Sequence, residues 1–231
     1  MPSTAQRVAD LAGLLADSTR AAFCLALLDG RAWTASELAA HARVALSTTS
    51  EHLSRLVESG LLVERRQGRH RYVQLADAQA AELVEGFVAY LSPVREEPRS
   101  LRAATTSAAL ARGRTCYDHL AGRLGVRITD AMAESGRLDT SGGFALTGAG
   151  IAWFASIGVE ESELRRTRRP LARSCLDWTE RRSHLGGAAG ARLCERFISN
   201  GWVKRIGSNR AVRVTPGGED ALRELLGITD L

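Results

Sequence analysis

The chain has 231 residues, a formal net charge of +5 and 45% hydrophobic residues. A compact domain uses roughly 100–150 residues, so one small domain cannot account for the whole chain. No run of eighteen apolar residues and no signal-peptide pattern is present, so we expect a cytoplasmic protein without a membrane partner. Four cysteines in a chain of this size argue against a disulfide framework.

Residues 34–60 have the pattern of two helices joined by a turn. Thr34 followed three residues later by Glu37 fits a capping box and predicts the start of a short helix. A second helix is predicted from about Leu46 to Gly60, which suits a helix end because glycine tolerates positive φ. Its apolar side chains recur at helical spacing on one face: Leu46, Thr49, Leu53, Leu56 and Val57.

The remaining surface of this second helix carries polar groups that suit DNA contacts. Small hydroxyls can approach base edges and phosphates closely, and an arginine can reach a phosphate. The candidate DNA-contacting residues are Ser47, Thr48, Ser50, Glu51, Ser54 and Arg55.

A basic hairpin is predicted directly after this helix, with its turn at Gly68. The cations around the turn are Arg65, Arg66, Arg69, His70 and Arg71. So many cations are costly to bury, so the hairpin is expected at the surface, where it can neutralise phosphates. Gln67, Arg69, His70 and Arg71 are its candidate contacts. A solvated hairpin beside an ordinary helix pair is the alternative, and the combination of hydroxyl face and basic hairpin favours DNA binding.

With these residues the segment 9–91 resembles the ArsR/SmtB family of winged-helix repressors. Asp17–Arg20 is similar to the family's Asp-Pro-x-Arg opening, with serine in place of proline. Residues 47–56 resemble its recognition helix, and residues 58–75 resemble its wing. The resemblance implies a homodimer paired through Thr4–Ala16 and Asp77–Leu91, bound to an operator that is an imperfect palindrome.

The chain departs from this family at the positions where metal-sensing members bind their ions. Residues 37–41, where a cysteine cluster is usual, contain no cysteine, and the helix after the wing contains no histidine. We therefore expect the effector to act elsewhere, within residues 110–200.

The predicted fold class is mainly α with small β-hairpins. We predict a DNA-binding and dimerisation domain over residues 1–91, a linker over 92–100 that contains Pro93 and Pro98, and a C-terminal helical domain over 101–231. The first 91 residues hold nine arginines against ten acids, and the rest hold 22 basic residues against 16 acids. The positive charge of the first domain is therefore concentrated in its hairpin.

The C-terminal half contains an internal repeat. His119–Asp130 matches His184–Glu195 at a constant offset, and the match continues at Gly136 and Gly201. We interpret this as a duplication over about 110–165 and 170–228, each copy folding as helix, helix, small hairpin, helix, in a winged-helix-like unit. The hairpins could be further DNA-binding wings or could serve packing, and packing is favoured.

Each copy begins with the same three chemical groups: Cys116, Asp118 and His119 in the first, and Cys175, Asp177 and His184 in the second. Thiolate, carboxylate and imidazole could bind Zn²⁺ or another thiophilic divalent metal. Two thiols could instead form a disulfide under oxidation. Both cysteines could also be small buried hydrophobes on core helices, which is favoured because neither CxxC nor HxxxH spacing is present.

Five large aromatic residues lie near the repeats: Trp153, Phe154, Trp178, Phe197 and Trp202. They could line a pocket for an apolar effector, and the core assignment is favoured.

We conclude that the sequence predicts a sequence-specific DNA-binding transcriptional regulator. It would be a dimeric repressor released by a metal, an oxidant or a small molecule acting on the C-terminal half. A constitutive architectural DNA-binding protein is the alternative. An enzyme with a DNA-binding tether is disfavoured, because the chain has no phosphate-binding Gly-rich loop, no GxSxG and no HExxH.

Overall fold

A computed structural model describes residues 2–68, 70–91, 101–207 and 210–231, with the backbone alone for 101–104. The chain divides into two compact units, Met1–Phe87 and Val88–Leu231. The predicted linker, 92–100, lies outside the described residues. In the part of the chain that is described, no helix is long and apolar enough to cross a membrane.

The first unit is a helical layer with a small three-stranded sheet. Its elements are α1 (Thr4–Leu15), α2 (Ser18–Leu27), β1 (Trp33–Thr34), α3 (Ala35–Ala42), α4 (Leu46–Glu58), β2 (Leu62–Gln67), β3 (His70–Leu75) and α5 (Ala78–Tyr90), whose last three residues belong to the second unit. The antiparallel strands have the order β1-β3-β2. Phe23, Leu38 and Leu53 are fully buried in its core.

Two polar devices determine where the helices of this unit begin. The predicted capping box is present, because Thr34 Oγ1 accepts from Glu37 N at 3.2 Å and Glu37 accepts from Thr34 N at 2.7 Å. Asp17 caps α2 by accepting from Arg20 N at 2.9 Å. The Arg20 guanidinium donates to the carbonyls of Leu14 and Gly13, which ties the end of α1 to α2.

The second unit consists of paired strands and helices in a repeated order. The first copy contains β4 (Arg114–Cys116), β5 (His119–Ala121), α7 (Gly122–Glu134), β6 (Leu138–Asp139), β7 (Ala145–Leu146) and α8 (Gly148–Ser156), preceded by α6 (Leu101–Arg112). The second contains β8 (Arg173–Leu176), β9 (Ser183–Gly186), α10 (Gly187–Ser199), β10 (Val203–Arg205), β11 (Val212–Val214) and α11 (Pro216–Leu226), preceded by α9 (Glu161–Arg165).

Each copy therefore reads hairpin, helix, hairpin, helix. The expectation of a helix at the start of each copy is wrong, because residues 114–121 and 173–186 form antiparallel hairpins. Three- and four-residue strands are too short to show a period of two. The turn of the first hairpin carries Tyr117 at φ 57° instead of the usual asparagine or glycine, so the turn gave no signal either.

The two copies share one hydrophobic core. It contains Ile128 and Phe154 from the first copy together with Leu193, Phe197 and Leu222 from the second. Trp153 also belongs to it and Trp202 packs against it, so these aromatic residues are core side chains. Trp178 instead lies against the Arg114 guanidinium, 4.7 Å from its ring centroid.

Candidate functional site

Helix α4 has one buried and one exposed face, and the predicted DNA contacts lie on the exposed one. Thr49, Leu53 and Leu56 are buried. Most of the predicted contacts are exposed, namely Ser47, Thr48, Ser50, Glu51 and Arg55, whereas Ser54 is half-buried. One prediction for this helix is wrong. Leu46 was expected on the buried apolar face, but it is 52% exposed, because it is the first residue of the helix and lies at the edge of the core.

Two of these side chains already have partners within the helix. Arg55 pairs with Glu51 at 2.7 Å, and Ser54 Oγ donates to the carbonyl of Ser50 at 3.0 Å. The exposed ion pair contributes little to stability, so DNA phosphate can compete for Arg55. Ser47, Thr48 and Ser50 are exposed.

The wing is the antiparallel pair β2–β3, paired from Leu62–Leu75 to Gln67–His70. Gly68 has φ +58°, as the turn requires, and Arg69 lies outside the described residues. Gln67 and His70 are exposed at the tip of the wing. Arg65 and Arg66, which the sequence analysis placed among the cations of the hairpin, are exposed as well.

Arg71 is less exposed than these two cations of the wing, although Arg66 Nε also lies 3.6 Å from Glu64, with the Arg66 side chain 76% exposed. The Arg71 guanidinium is paired with Glu64 at 2.6 Å and is only 21% exposed. A phosphate contact by Arg71 would have to displace this carboxylate. The more exposed charge of the wing therefore lies at Arg65 and Arg66.

The second unit brings four predicted ligand residues into one cluster: Cys116, His119, Cys175 and His184. Their ligand atoms all lie within 4.8 Å of one another. The two Sγ atoms are 3.8 Å apart, and the Nε2 atoms of His119 and His184 are 3.1 Å apart. Cys116 and both histidines are buried, and Cys175 is half-buried.

Strand register explains why each cysteine lies beside a histidine. Cys116 is the cross-strand partner of His119 in the first hairpin, and Cys175 is the partner of His184 in the second. Opposite residues of an antiparallel pair have their Cβ atoms about 4.5–5.5 Å apart on the same face of the sheet. The expectation that the two cysteines lie on core helices is therefore wrong.

Glycines allow the two copies to approach each other closely at the cluster. A Cβ on Gly190 would lie 2.2 Å from the Leu185 carbonyl oxygen and 3.1 Å from His119 Cβ. A Cβ on Gly125 would lie 2.4 Å from the Leu120 carbonyl oxygen and 3.5 Å from His184 Cβ. The glycine of each copy thus faces the histidine of the other, which is the reciprocity expected of a pseudo-twofold axis.

The two aspartates lie behind the histidines. Asp118 Oδ1 is 3.2 Å from His119 Nδ1, and Asp177 Oδ2 is 3.2 Å from His184 Nδ1. Asp118 is itself bound by the Arg169 guanidinium. These carboxylates orient the imidazole rings and leave both Nε2 atoms directed at the cluster.

Asp177 is the more deeply held of the two aspartates. It is fully buried, forms an ion pair with Arg114 at 3.0 Å, and accepts from the backbone nitrogens of Gly122 and Thr179 at 2.7 and 2.9 Å. Burial acts to raise its pKa, but the His184 contact, the Arg114 charge and these hydrogen bonds outweigh it and lower the pKa.

The thiols of the second unit differ in acidity. Contact with Cys116, supported by His119 and His184, outweighs burial and lowers the pKa of Cys175 well below its usual range. Burial raises the pKa of Cys194, a thiol outside the cluster, to about 12. Burial acts to lower the pKa of His119, but its bonds to Asp118 and Cys175 raise it to about 9. The cluster therefore favours a thiolate.

Comparison with known proteins gives matches to the first unit alone and to the whole chain. Residues 15–65 match the family model described as a helix-turn-helix domain. The chain is 37% identical over 222 residues to the HTH-type transcriptional regulator YdfF of Bacillus subtilis, covering 96% of this chain and 97% of that protein. It is 41% identical over 81 residues to the HTH-type transcriptional regulator CmtR of Mycobacterium tuberculosis, covering 35% of this chain and 68% of that one.

Two solved structures match about the first two fifths of the chain's length. The cadmium metal-sensor CmtR of Mycobacterium tuberculosis, solved by NMR, is 35% identical and covers 40% of this chain and 96% of that one, with a TM-score of 0.32. The homodimeric winged helix-turn-helix domain of Mb0332 from Mycobacterium bovis is 28% identical, with 36% and 75% coverage and a TM-score of 0.33. The chain belongs to the HTH-type transcriptional regulators.

Proposed function

We propose that this regulator is a homodimeric repressor that reads double-stranded DNA with α4 and the β2–β3 wing. An effector acting on the second unit would release it. The observation that carries the proposal is the exposed hydroxyl-bearing face of α4, followed directly by a wing that exposes Arg65 and Arg66. A helix of this kind enters the major groove while the wing contacts the adjacent backbone.

The proposed roles of the DNA-facing residues follow from their chemistry. Ser47, Thr48 and Ser50 would contact base edges, Arg55 and the wing cations would contact phosphates, and Gln67 and His70 would approach the backbone from the wing tip. For a protein that reads chromosomal DNA in this way, we propose action in the cytoplasm.

The dimer proposal rests on apolar side chains that the first unit leaves exposed. Helix α1 buries no residue, Val8 is 63% exposed, and Phe87 on α5 is 49% exposed. Leu11 and Leu14 line an open groove beside Val8 on the same helix. A twofold pair would place two α4 helices about 34–36 Å apart, so the operator would be an imperfect palindrome with half-sites one turn apart.

The test of DNA binding is a selection from random-sequence duplexes followed by titration of the selected site at several salt concentrations. Arg65→Ala combined with Arg66→Ala should weaken binding to all sequences and reduce the salt slope by about 1 for each phosphate that is no longer neutralised. Arg192→Ala combined with Arg223→Ala removes the same charge from the second unit and is the matched control. Equal salt slopes for the two double variants would show that the wing does not contact DNA phosphates.

The dimer is tested by light scattering on the purified chain. We expect twice the chain mass at micromolar concentration, and Val8→Asp should shift the protein to monomer by placing a charge in the apolar contact. A wild-type monomer would refute the dimer. If no metal, oxidant or small molecule changes operator affinity, the alternative of a constitutive architectural protein is correct instead.

A further inference from the structure

The four-residue cluster of the second unit has the dimensions of a tetrahedral metal site. Zn–S bonds of about 2.3 Å place two sulfurs about 3.8 Å apart, and Zn–N bonds of about 2.05 Å place two nitrogens about 3.3 Å apart. The observed separations are 3.8 Å between the cysteine Sγ atoms and 3.1 Å between the histidine Nε2 atoms. Both like pairs are thus already at the spacing that one Zn²⁺ requires.

At least one sulfur–nitrogen pair is wider than in the ideal geometry. A tetrahedral ion would bring each sulfur to about 3.6 Å from each nitrogen, whereas the cluster spans up to 4.8 Å. Side-chain rotations that move the groups by about 1 Å close this gap.

The surroundings of the histidines fit this role. Metal-bound imidazoles typically present one ring nitrogen to the ion and the other to a carboxylate. His119 and His184 have this arrangement, with Asp118 and Asp177 each 3.2 Å from an Nδ1 atom. Two Nε2 atoms 3.1 Å apart can bond each other only as one donor and one acceptor, and a cation between them removes this constraint.

The charge of the groups around the cluster also fits a divalent cation. Two thiolates and the carboxylates of Asp118 and Asp177 carry four negative charges, while the buried Arg114 and the half-buried Arg169 supply two positive ones. With both imidazoles neutral, as metal ligands must be, a divalent ion brings this sum to zero, and paired charges cost less to bury than unpaired ones. Sulfur and imidazole ligands select thiophilic ions over Mg²⁺ or Ca²⁺.

The backbone at the cluster is held in an unfavourable conformation. Tyr117 adopts φ 57°, in the left-handed region, at the two-residue turn between Cys116 and His119. A bulky residue rarely occupies this region unless its surroundings enforce it, and such strain concentrates at functional sites. Here the tight turn places the thiol and the imidazole side by side.

We propose that Cys116, His119, Cys175 and His184 bind one Zn²⁺ per chain in tetrahedral geometry. The ion joins the two copies of the duplicated unit, with Asp118 and Asp177 positioning the two imidazole rings. This ion is also the effector to which the second unit responds, a role that rests on the proposed function. The site differs in position from residues 37–41 and from α5, where this chain lacks the ligands that the ArsR/SmtB resemblance would supply.

The test is Zn²⁺ stoichiometry of the full chain after chelation and reloading, measured by elemental analysis and by competition with a chromophoric chelator. We expect one Zn²⁺ per wild-type chain and less than a tenth of that for Cys116→Ser combined with Cys175→Ser. Cys194→Ser is the matched control, because this thiol is buried in the same unit but outside the cluster, and it should retain the full stoichiometry.

A second variant tests the site even if the double cysteine variant does not fold. Asp118→Asn keeps all four ligands and should weaken Zn²⁺ binding by 10- to 100-fold, with an unchanged circular dichroism spectrum. Co²⁺ substitution should give the absorption bands of a tetrahedral thiolate complex. Wild-type protein that binds no Zn²⁺, or cysteine variants that bind it as the wild type does, would overturn the site. Loss of two of the four thiols on mild oxidation, without metal uptake, would identify a redox pair instead.

The signalling role of the ion is tested by a separate measurement, the affinity for operator DNA. We expect Zn²⁺ to change operator affinity at least tenfold in wild type and Cys194→Ser, but not in the double variant. One Zn²⁺ per chain with unchanged DNA affinity would confirm the site and refute its role as the signal. A chain that binds Zn²⁺ but no DNA would refute the proposed function, while the metal stoichiometry remains valid.

Discussion

Asp177→Asn should destabilise the second unit strongly, because this carboxylate is the counterion of a buried arginine. Both side chains of the Arg114–Asp177 pair are 0% exposed. Asparagine retains the shape but removes the charge, and its one acceptor oxygen can serve either Gly122 N or Thr179 N, because these two nitrogens bond different oxygens of Asp177. Removing one partner of a buried ion pair costs about 3–5 kcal/mol, since the remaining charge is left uncompensated.

The expected loss is large relative to the stability of a folded domain, which is about 5–15 kcal/mol. With a urea m-value of about 2 kcal/mol/M, the unfolding midpoint should fall by about 2 M. Three of the four tryptophans, Trp153, Trp178 and Trp202, belong to the second unit, so tryptophan fluorescence reports mainly on its unfolding. The measurement is made with a chelator present, so that bound metal does not contribute.

Asp220→Asn is the control, since Asp220 pairs with Arg223 at 2.9 Å with both side chains more than half exposed. An exposed pair contributes at most about 1 kcal/mol, so the midpoint should barely move. The pKa of Asp177 is lowered in the fold, so its contribution is present above the unfolded value of about 4 and is lost as the pH falls below it. Equal midpoints for the two variants at pH 7 would refute the assignment of Asp177 as the buried counterion.

The remaining predictions concern packing, capping and base contacts. Gly190→Ala should lower the free energy of unfolding by about 1–3 kcal/mol, because the new Cβ meets the Leu185 carbonyl oxygen at 2.2 Å. Gly217→Ala is the control, because its new Cβ meets nothing within 4 Å and the change should be neutral or stabilising by up to about 1 kcal/mol. Equal urea midpoints for the two variants would contradict the close packing at Gly190. Thr34→Ala should cost about 0.5–2 kcal/mol through loss of the α3 cap, which thermal denaturation would detect. Ser47→Ala should change the preference among DNA sequences by about 1–3 kcal/mol, and a loss that is uniform across sequences would contradict a base contact.

The local signals of the first unit were strong enough for the sequence to predict it. Capping at Thr34, the apolar spacing of α4 and the glycine turn of the wing are short-range features that the chain itself encodes. The boundaries followed closely, with α4 at Leu46–Glu58 and the wing strands at Leu62–Gln67 and His70–Leu75. The pairing of Arg71 with Glu64 was not predictable, because it depends on which side chains share a face after the strands pair.

In the second unit the sequence predicted the repeat and the residues that head each copy, but not the elements that carry them. The strands that hold Cys116, His119, Cys175 and His184 are three or four residues long, too short for a periodic signal. Their ligand spacing looks irregular along the chain, because the two turns differ in length and each copy supplies half of the site. Only the tertiary packing of the two copies brings the four ligand atoms within 4.8 Å of one another. This packing is possible because Gly125 and Gly190 have no Cβ atom.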